Sequence, residues 1–244
     1  MATGYAGLEA SGSTGGRFAI ATELALVLGL LGLGLAALPV SAVLNGGVGE
    51  HALMLLRMLA LLAGATWLLR RTGRTWADVG LRRPASWWRV AGLVVAGYAA
   101  LGLLLQVVLP LLLAATGAQP PALAAFAELK GDLLQYLFFA LPVSWGTAAF
   151  IEELFARGYL LNRLVDLVGA TGAGVWWTAA AAQGLLFGLG HAYQGLGGII
   201  MTGLIGLAFG AIYLLGKRNL WACIILHGIV DFVTVTAFFL GAAG

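Results

Sequence analysis

Charge is what this sequence has least of. Only 9% of its 244 residues are charged and 61% are hydrophobic, whereas soluble domains carry about 25% charged residues. A chain this apolar cannot cover a water-facing globule with polar surface, so the soluble classes are excluded. Cysteine occurs once, at Cys223, which rules out an intrachain disulfide and any Cys/His finger. No HExxH is present, so the strong local signature of a zinc peptidase is missing. The formal charge of +3 leaves no footprint for nucleic acid. Lysine is nearly absent beside eleven arginines, a balance that points to a GC-rich bacterial genome and so to a bacterial plasma membrane.

What is present is long apolar sequence. A span needs about 20 mainly apolar residues to cross the hydrocarbon core. Apolar windows between polar breaks place spans near Phe18–Leu44, His51–Leu69, Val90–Thr116, Leu133–Phe155, Val175–His191, Gly197–Leu215 and Leu220–Leu240. The expectation is an all-α, polytopic helical bundle of about seven spans, six to eight. Residues 1–17 are rich in Gly, Ser, Thr and Ala and read as a flexible tail, leaving 18–244 as one integral membrane domain. In the segment GAQPPALAAFAELKGDL, Pro120 and Pro121 break the helix, and the amphipathic stretch after them is expected on the membrane surface.

Orientation follows from the basic residues, which are retained on the cytoplasmic side near span ends. Arg70, Arg71, Arg74, Arg82, Arg83 and Arg89 fall in and beside one loop, and alternation adds Arg17, Arg157, Arg163, Lys217 and Arg218 to the same side. The N-terminus is therefore expected in the cytoplasm.

Ionisable groups inside spans are costly and mark functional sites by default. Glu152, Glu153 and Arg157 lie in EELFARG, His191 closes FGLGH after Phe187, and His227 and Asp231 lie in HGIVDF. Glu153 and Arg157 stand at i,i+4 with the glutamate first, the better order for a helical ion pair. Glu152 is rotated by about 100° from Glu153, so one carboxylate can be held by arginine while the other faces a cavity. His227 and Asp231, also i,i+4, share a helix face. With spans four and five taken as a hairpin turning at residues 169–174, Glu152 and His191 both stand about 26 Å from the turn. Glu23, within two turns of Arg17, is expected to reach the interface. Each feature alone has a plain structural reading: a histidine bonding a carbonyl, or a Glu–Arg pair holding a helix. Gly203, Gly206 and Gly210 are read as packing positions.

Taken together, the three segments resemble the CPBP family of intramembrane proteases, typified by the CAAX prenyl endopeptidases and bacterial Abi proteins. The resemblance rests on EExxxR at Glu152, Glu153 and Arg157, FxxxH at Phe187 and His191, and HxxxD/N at His227 and Asp231. It covers roughly residues 140 to 235, with VGLRRP a further family-like phrase, and places the core at about 133–240. It implies that Glu152, assisted by His191, is the general base activating water against a scissile carbonyl. Arg157 then positions Glu153, while His227 and Asp231 hold the water or stabilise the oxyanion. Asp231 stands where many members have asparagine, and a carboxylate donates no hydrogen bond unless protonated. A metal-free site is favoured; if Zn²⁺ is used, His191, His227 and Glu152 are its ligands. The implied partners are the lipid bilayer and a membrane-protein or lipidated-peptide substrate. The alternative is a catalytically silent scaffold or immunity protein of the same fold. A proton-coupled carrier would show internal repeats, and none is seen.

Overall fold

The computed structural model describes residues 14–37, 48–121 and 123–242. Most of the expected N-terminal tail, and the end of the first expected span, lie outside these residues. Among the described residues seven long helices run in order: α1 Thr14–Ala37, α2 Val48–Arg71, α3 Trp87–Thr116, α4 Leu133–Val168, α5 Ala173–Leu189, α6 Gly195–Leu215 and α7 Trp221–Phe239. No strand occurs among the described residues. Six of the helices are long and apolar enough to cross a membrane. The seventh, α5, has 17 residues, the lower end of the spanning range.

Two boundaries differ from the sequence reading, each for a polar reason. The fourth span was expected to stop at Phe155, where charged residues begin, while its helix, as the hairpin turning at 169–174 required, continues to Val168. Its charges are matched by other helices. Arg163 pairs with both oxygens of Glu23 (2.9 and 2.7 Å), Tyr159 donates to Glu23 at 2.6 Å, and Asp166 accepts from Arg74 and Arg163. Glu23 therefore ties α1 to α4 instead of turning to the interface beside Arg17. The fifth span was expected to include His191, but α5 ends at Leu189 and a short turn, Ala192–Gln194, leads into α6. Gly195 takes a positive φ of 78° there, a conformation glycine adopts without strain.

Most of α4 is wound with π-type turns, over Phe139–Glu152 and Leu154–Leu160. Pro142 lies inside this stretch; it has no N–H to donate and its ring crowds the carbonyl of residue i−4, strain that a wider turn relieves. Such turns recur at functional sites.

Glycine sets the close approaches. A Cβ at Gly184 would lie 2.8 Å from the Leu207 nitrogen, and one at Gly206 would lie 2.9 Å from the Gly184 Cα. α5 and α6 thus touch backbone to backbone, as small residues permit in a bilayer. Gly184→Val is expected to destabilise the protein by about 1–3 kcal/mol through overpacking, read as a lowered melting temperature in detergent. An unchanged melt would mean the two helices part without cost.

The α2–α3 loop is clamped beneath the α6–α7 turn. Tyr213 donates to the Val79 carbonyl (3.0 Å), Leu220 N–H to Gly80 O (3.1 Å), Asn219 to Arg82 O (2.8 Å), and Arg82 to Lys217 O (3.0 Å). Within the loop, the Thr75 hydroxyl and then its backbone N–H hold the Asp78 carboxyl below its usual range. At the other end of the bundle, the segment expected on the membrane surface is packed inward. Leu129 is fully buried, and the Phe126 ring meets Phe139 and Phe238 at 6.2 and 5.7 Å. Apolar burial against α4 and α7 replaces the contact with lipid.

Arg74, Arg82, Arg89, Arg163, Lys217 and Arg218 thereby gather at one end, while Lys130 lies beside Gly241 at the other. Retention of positive charge gives a direct expectation: a reporter fused at Asp78 should read cytoplasmic and one after Gly117 external. The reverse result would invert the whole topology.

Candidate active site

The site is assembled where α4, α5, α6 and α7 meet. At Gly228 a Cβ would fall 2.3 Å from the Trp145 ring, so glycine lets α7 press onto α4 next to His227. That approach brings His227 Nδ1 to 2.8 Å from Glu153 Oε1. The same oxygen accepts from Arg157 Nη1 at 2.8 Å, one turn further along α4. Glu153 and Arg157 are both 0% exposed, and a buried carboxylate persists as an ion only when paired and hydrogen-bonded. Arg157 also donates to the Gly206 carbonyl (3.2 Å) and lies over the rings of Phe187 and Phe209, 4.8 and 5.0 Å from their centroids. These stacked contacts suit a guanidinium better than an ammonium.

The chain of contacts continues at both ends. His227 Nε2 stands 3.5 Å from Asp231 Oδ2, one turn along α7. With a carboxylate on each side, the ring can donate from both nitrogens only as an imidazolium. Phe187 lies 4.8 Å from the His191 ring, and its carbonyl is 2.9 Å from His191 Nδ1. A proton on Nδ1 satisfies that contact and leaves Nε2 with a free lone pair.

Glu152 differs from its neighbour. It is half-buried and makes no hydrogen bond among the described residues. His227 and Asp231 are among the charged groups that act on it, and the Tyr193 hydroxyl feels both Glu152 and Asp231. The carboxylates thus divide as the 100° offset implied: Glu153 is locked inside, and Glu152 is free. The structure adds two details: Glu152 and His191 share no direct hydrogen bond, and His227 is bonded to Glu153 as well as facing Asp231. The signal for the second was out of reach of local spacing, because 74 positions separate the partners.

One residue was passed over. Gln183 on α5 is wholly buried, one turn before Phe187, and neither polar atom of its amide has a partner. Glu153 Oε2 and Arg157 Nε are likewise buried without partners. Its polarity within AAAAQGLLFGLGH was visible in the sequence.

As a zinc site the arrangement does not fit. Among the described residues no three His, Cys, Asp or Glu side chains form a group able to hold a metal. His227 Nδ1 is engaged by Glu153, and its Nε2 faces Asp231 at 3.5 Å.

Comparison with known proteins gives one result of substance. Residues 134–233 match the family described as type II CAAX prenyl endopeptidase Rce1-like. Neither the curated proteins nor the solved structures yield a significant match. The matched segment contains Glu152, Glu153, Arg157, Phe187, His191, His227 and Asp231, and over residues 134–233 the chain is similar to the CAAX protease family.

Proposed function

We propose that this multi-pass membrane protein is an intramembrane endopeptidase that cleaves membrane-associated or lipid-modified proteins. The observation that carries the reading is the division of the tandem glutamates: Glu153 buried and doubly bonded, Glu152 half-buried beside it with a carboxylate that makes no hydrogen bond. A general base needs a carboxylate free to accept a proton from water, and Glu152 is the one available.

In the proposed reaction, Glu152 takes a proton from water as the water oxygen bonds to the scissile carbonyl carbon. His191 Nε2 accepts a hydrogen bond from the same water and orients it. The carbonyl oxygen becomes an oxyanion, which donors placed in advance stabilise strongly in a water-poor site. His227, held between Glu153 and Asp231, supplies the N–H. Asp231 then acts through the imidazole and need not donate a hydrogen bond itself. The C–N bond breaks as Glu152 returns its proton to the departing amine. Arg157 and Phe187 position Glu153 and His191 and touch no substrate.

Comparison of membrane-protein termini between cells carrying the wild type and cells carrying Glu152→Ala tests the assignment. New termini present only with the wild type are expected. Identical sets of termini, with the protein still bound to a membrane partner, would instead support a silent scaffold.

A further inference from the structure

A shallow cleft of about 90 Å³ opens at the basic end of α2, lined by Thr66, Leu69, Arg70, Arg74, Thr75 and Trp76. Its walls are fixed. Trp76 Nε1 donates to Thr66 Oγ1 at 3.0 Å, and Thr66 in turn bonds the Leu62 carbonyl at 2.6 Å. Leu69 is buried beneath, and Arg74 is held at the rim by Asp166. Arg70 is exposed and has no ion pair among the described residues.

The acids nearby are already engaged. Asp166 is shared by Arg74 and Arg163, and Asp78 accepts from the Thr75 hydroxyl and N–H. The terminal carbonyls of α2 also have partners, Leu69 O accepting from Thr72 and Arg74 and Arg70 O from Gly73. What remains unsatisfied is therefore positive: the whole Arg70 guanidinium and the free donors of Arg74.

Depth is marked by tryptophan. Trp67, with Arg71 4.7 Å over its ring, is 56% exposed, and Trp87 and Trp88 are 50% and 88% exposed. Exposed tryptophans beside arginines belong at the headgroup level of a bilayer. The geometry points to a phosphate-binding site in this cleft, placed to take the headgroup phosphate of an anionic phospholipid. Arg70 grips the phosphate with paired N–H donors, as guanidinium does best. Arg74 completes the contact, and Trp76 receives the apolar start of the lipid. This site lies apart from the Glu152 cluster and does not depend on its chemistry.

The test uses the full chain purified in a non-ionic detergent. Phosphatidylglycerol, phosphatidylcholine or inorganic phosphate is added, and bound lipid is counted by native mass spectrometry while melting is followed in parallel. Retention of phosphatidylglycerol over phosphatidylcholine is expected. Arg70→Gln should weaken it about fivefold, the scale of one near-surface arginine. Arg83→Gln removes the same charge from an exposed position outside the cleft and should leave retention unchanged. Equal loss in the two variants would reduce the effect to general surface charge and overturn the site, as would equal retention of the two lipids. Stabilisation by inorganic phosphate that Arg70→Gln abolishes, without lipid preference, would keep the phosphate chemistry and overturn the lipid source.

Discussion

Exchange of Glu152 for glutamine is expected to remove measurable cleavage while leaving the protein folded. The two side chains have nearly the same shape, and no internal hydrogen bond depends on the Glu152 charge. General-base assistance is worth roughly 10²–10⁴-fold, so the loss should appear in kcat with little change in melting temperature. The measurement is proteolysis of a membrane-peptide substrate by reconstituted protein. Run in excess chelator, the wild type should keep its activity, since among the described residues no three His, Cys, Asp or Glu side chains form a group able to hold a metal. Activity lost to chelator and restored by Zn²⁺ would sink this account and make His191, His227 and Glu152 ligands. A fully active Glu152→Gln protein would remove the residue from the chemistry altogether.

Arg157→Ala should do the opposite kind of damage. It strands Glu153, 0% exposed, with one histidine partner, and breaking a buried ion pair from one side costs about 3–5 kcal/mol. It also strips the Gly206 carbonyl of a donor and the Phe187 and Phe209 rings of their cation. A large fall in melting temperature is expected, with activity lost even in the fraction that remains folded. Replacing both partners, as Arg157→Met with Glu153→Leu, should recover part of the stability, because apolar substitution of a whole buried pair is often neutral or better. Recovery stays partial while His227 Nδ1 lacks its acceptor. Wild-type melting of Arg157→Ala would show that the pair does not hold these helices together.

The sequence made the cluster of intramembrane charges more legible than the scaffold around it. Intramembrane charge is expensive, so Glu152, Glu153, Arg157, His227 and Asp231 stood out against an apolar background, and i,i+4 spacing paired two sets of them correctly. Helix number was equally plain from hydropathy. What escaped were pairings between helices. Glu23 was read with Arg17, its neighbour in sequence, but its partner is Arg163, 140 positions away. The hairpin turning at residues 169–174 already required a helix running past Phe155, but not that Arg163 and Asp166 are neutralised inside the bundle. Nor could hydropathy show that Phe126 and Leu129 close the far end of the bundle by packing on α4 and α7.

The wide winding of α4 has a genetic corollary. Every turn between Phe139 and Glu152 holds more residues than an α-turn, and the tandem glutamates sit directly after it. A substitution in this stretch changes one side chain and leaves the aim of Glu152 intact. Deleting a single residue, such as Gly146, lets the helix tighten and swings everything beyond it by about 100°. Glu152 would then turn away from His227 and Asp231, and Glu153 and Arg157 would leave His227 and Gly206 together. Length, more than identity, is therefore the quantity that this helix must keep fixed. Among functional descendants of the sequence, residues 139–153 should accumulate replacements freely on the lipid-facing side while gaining and losing none.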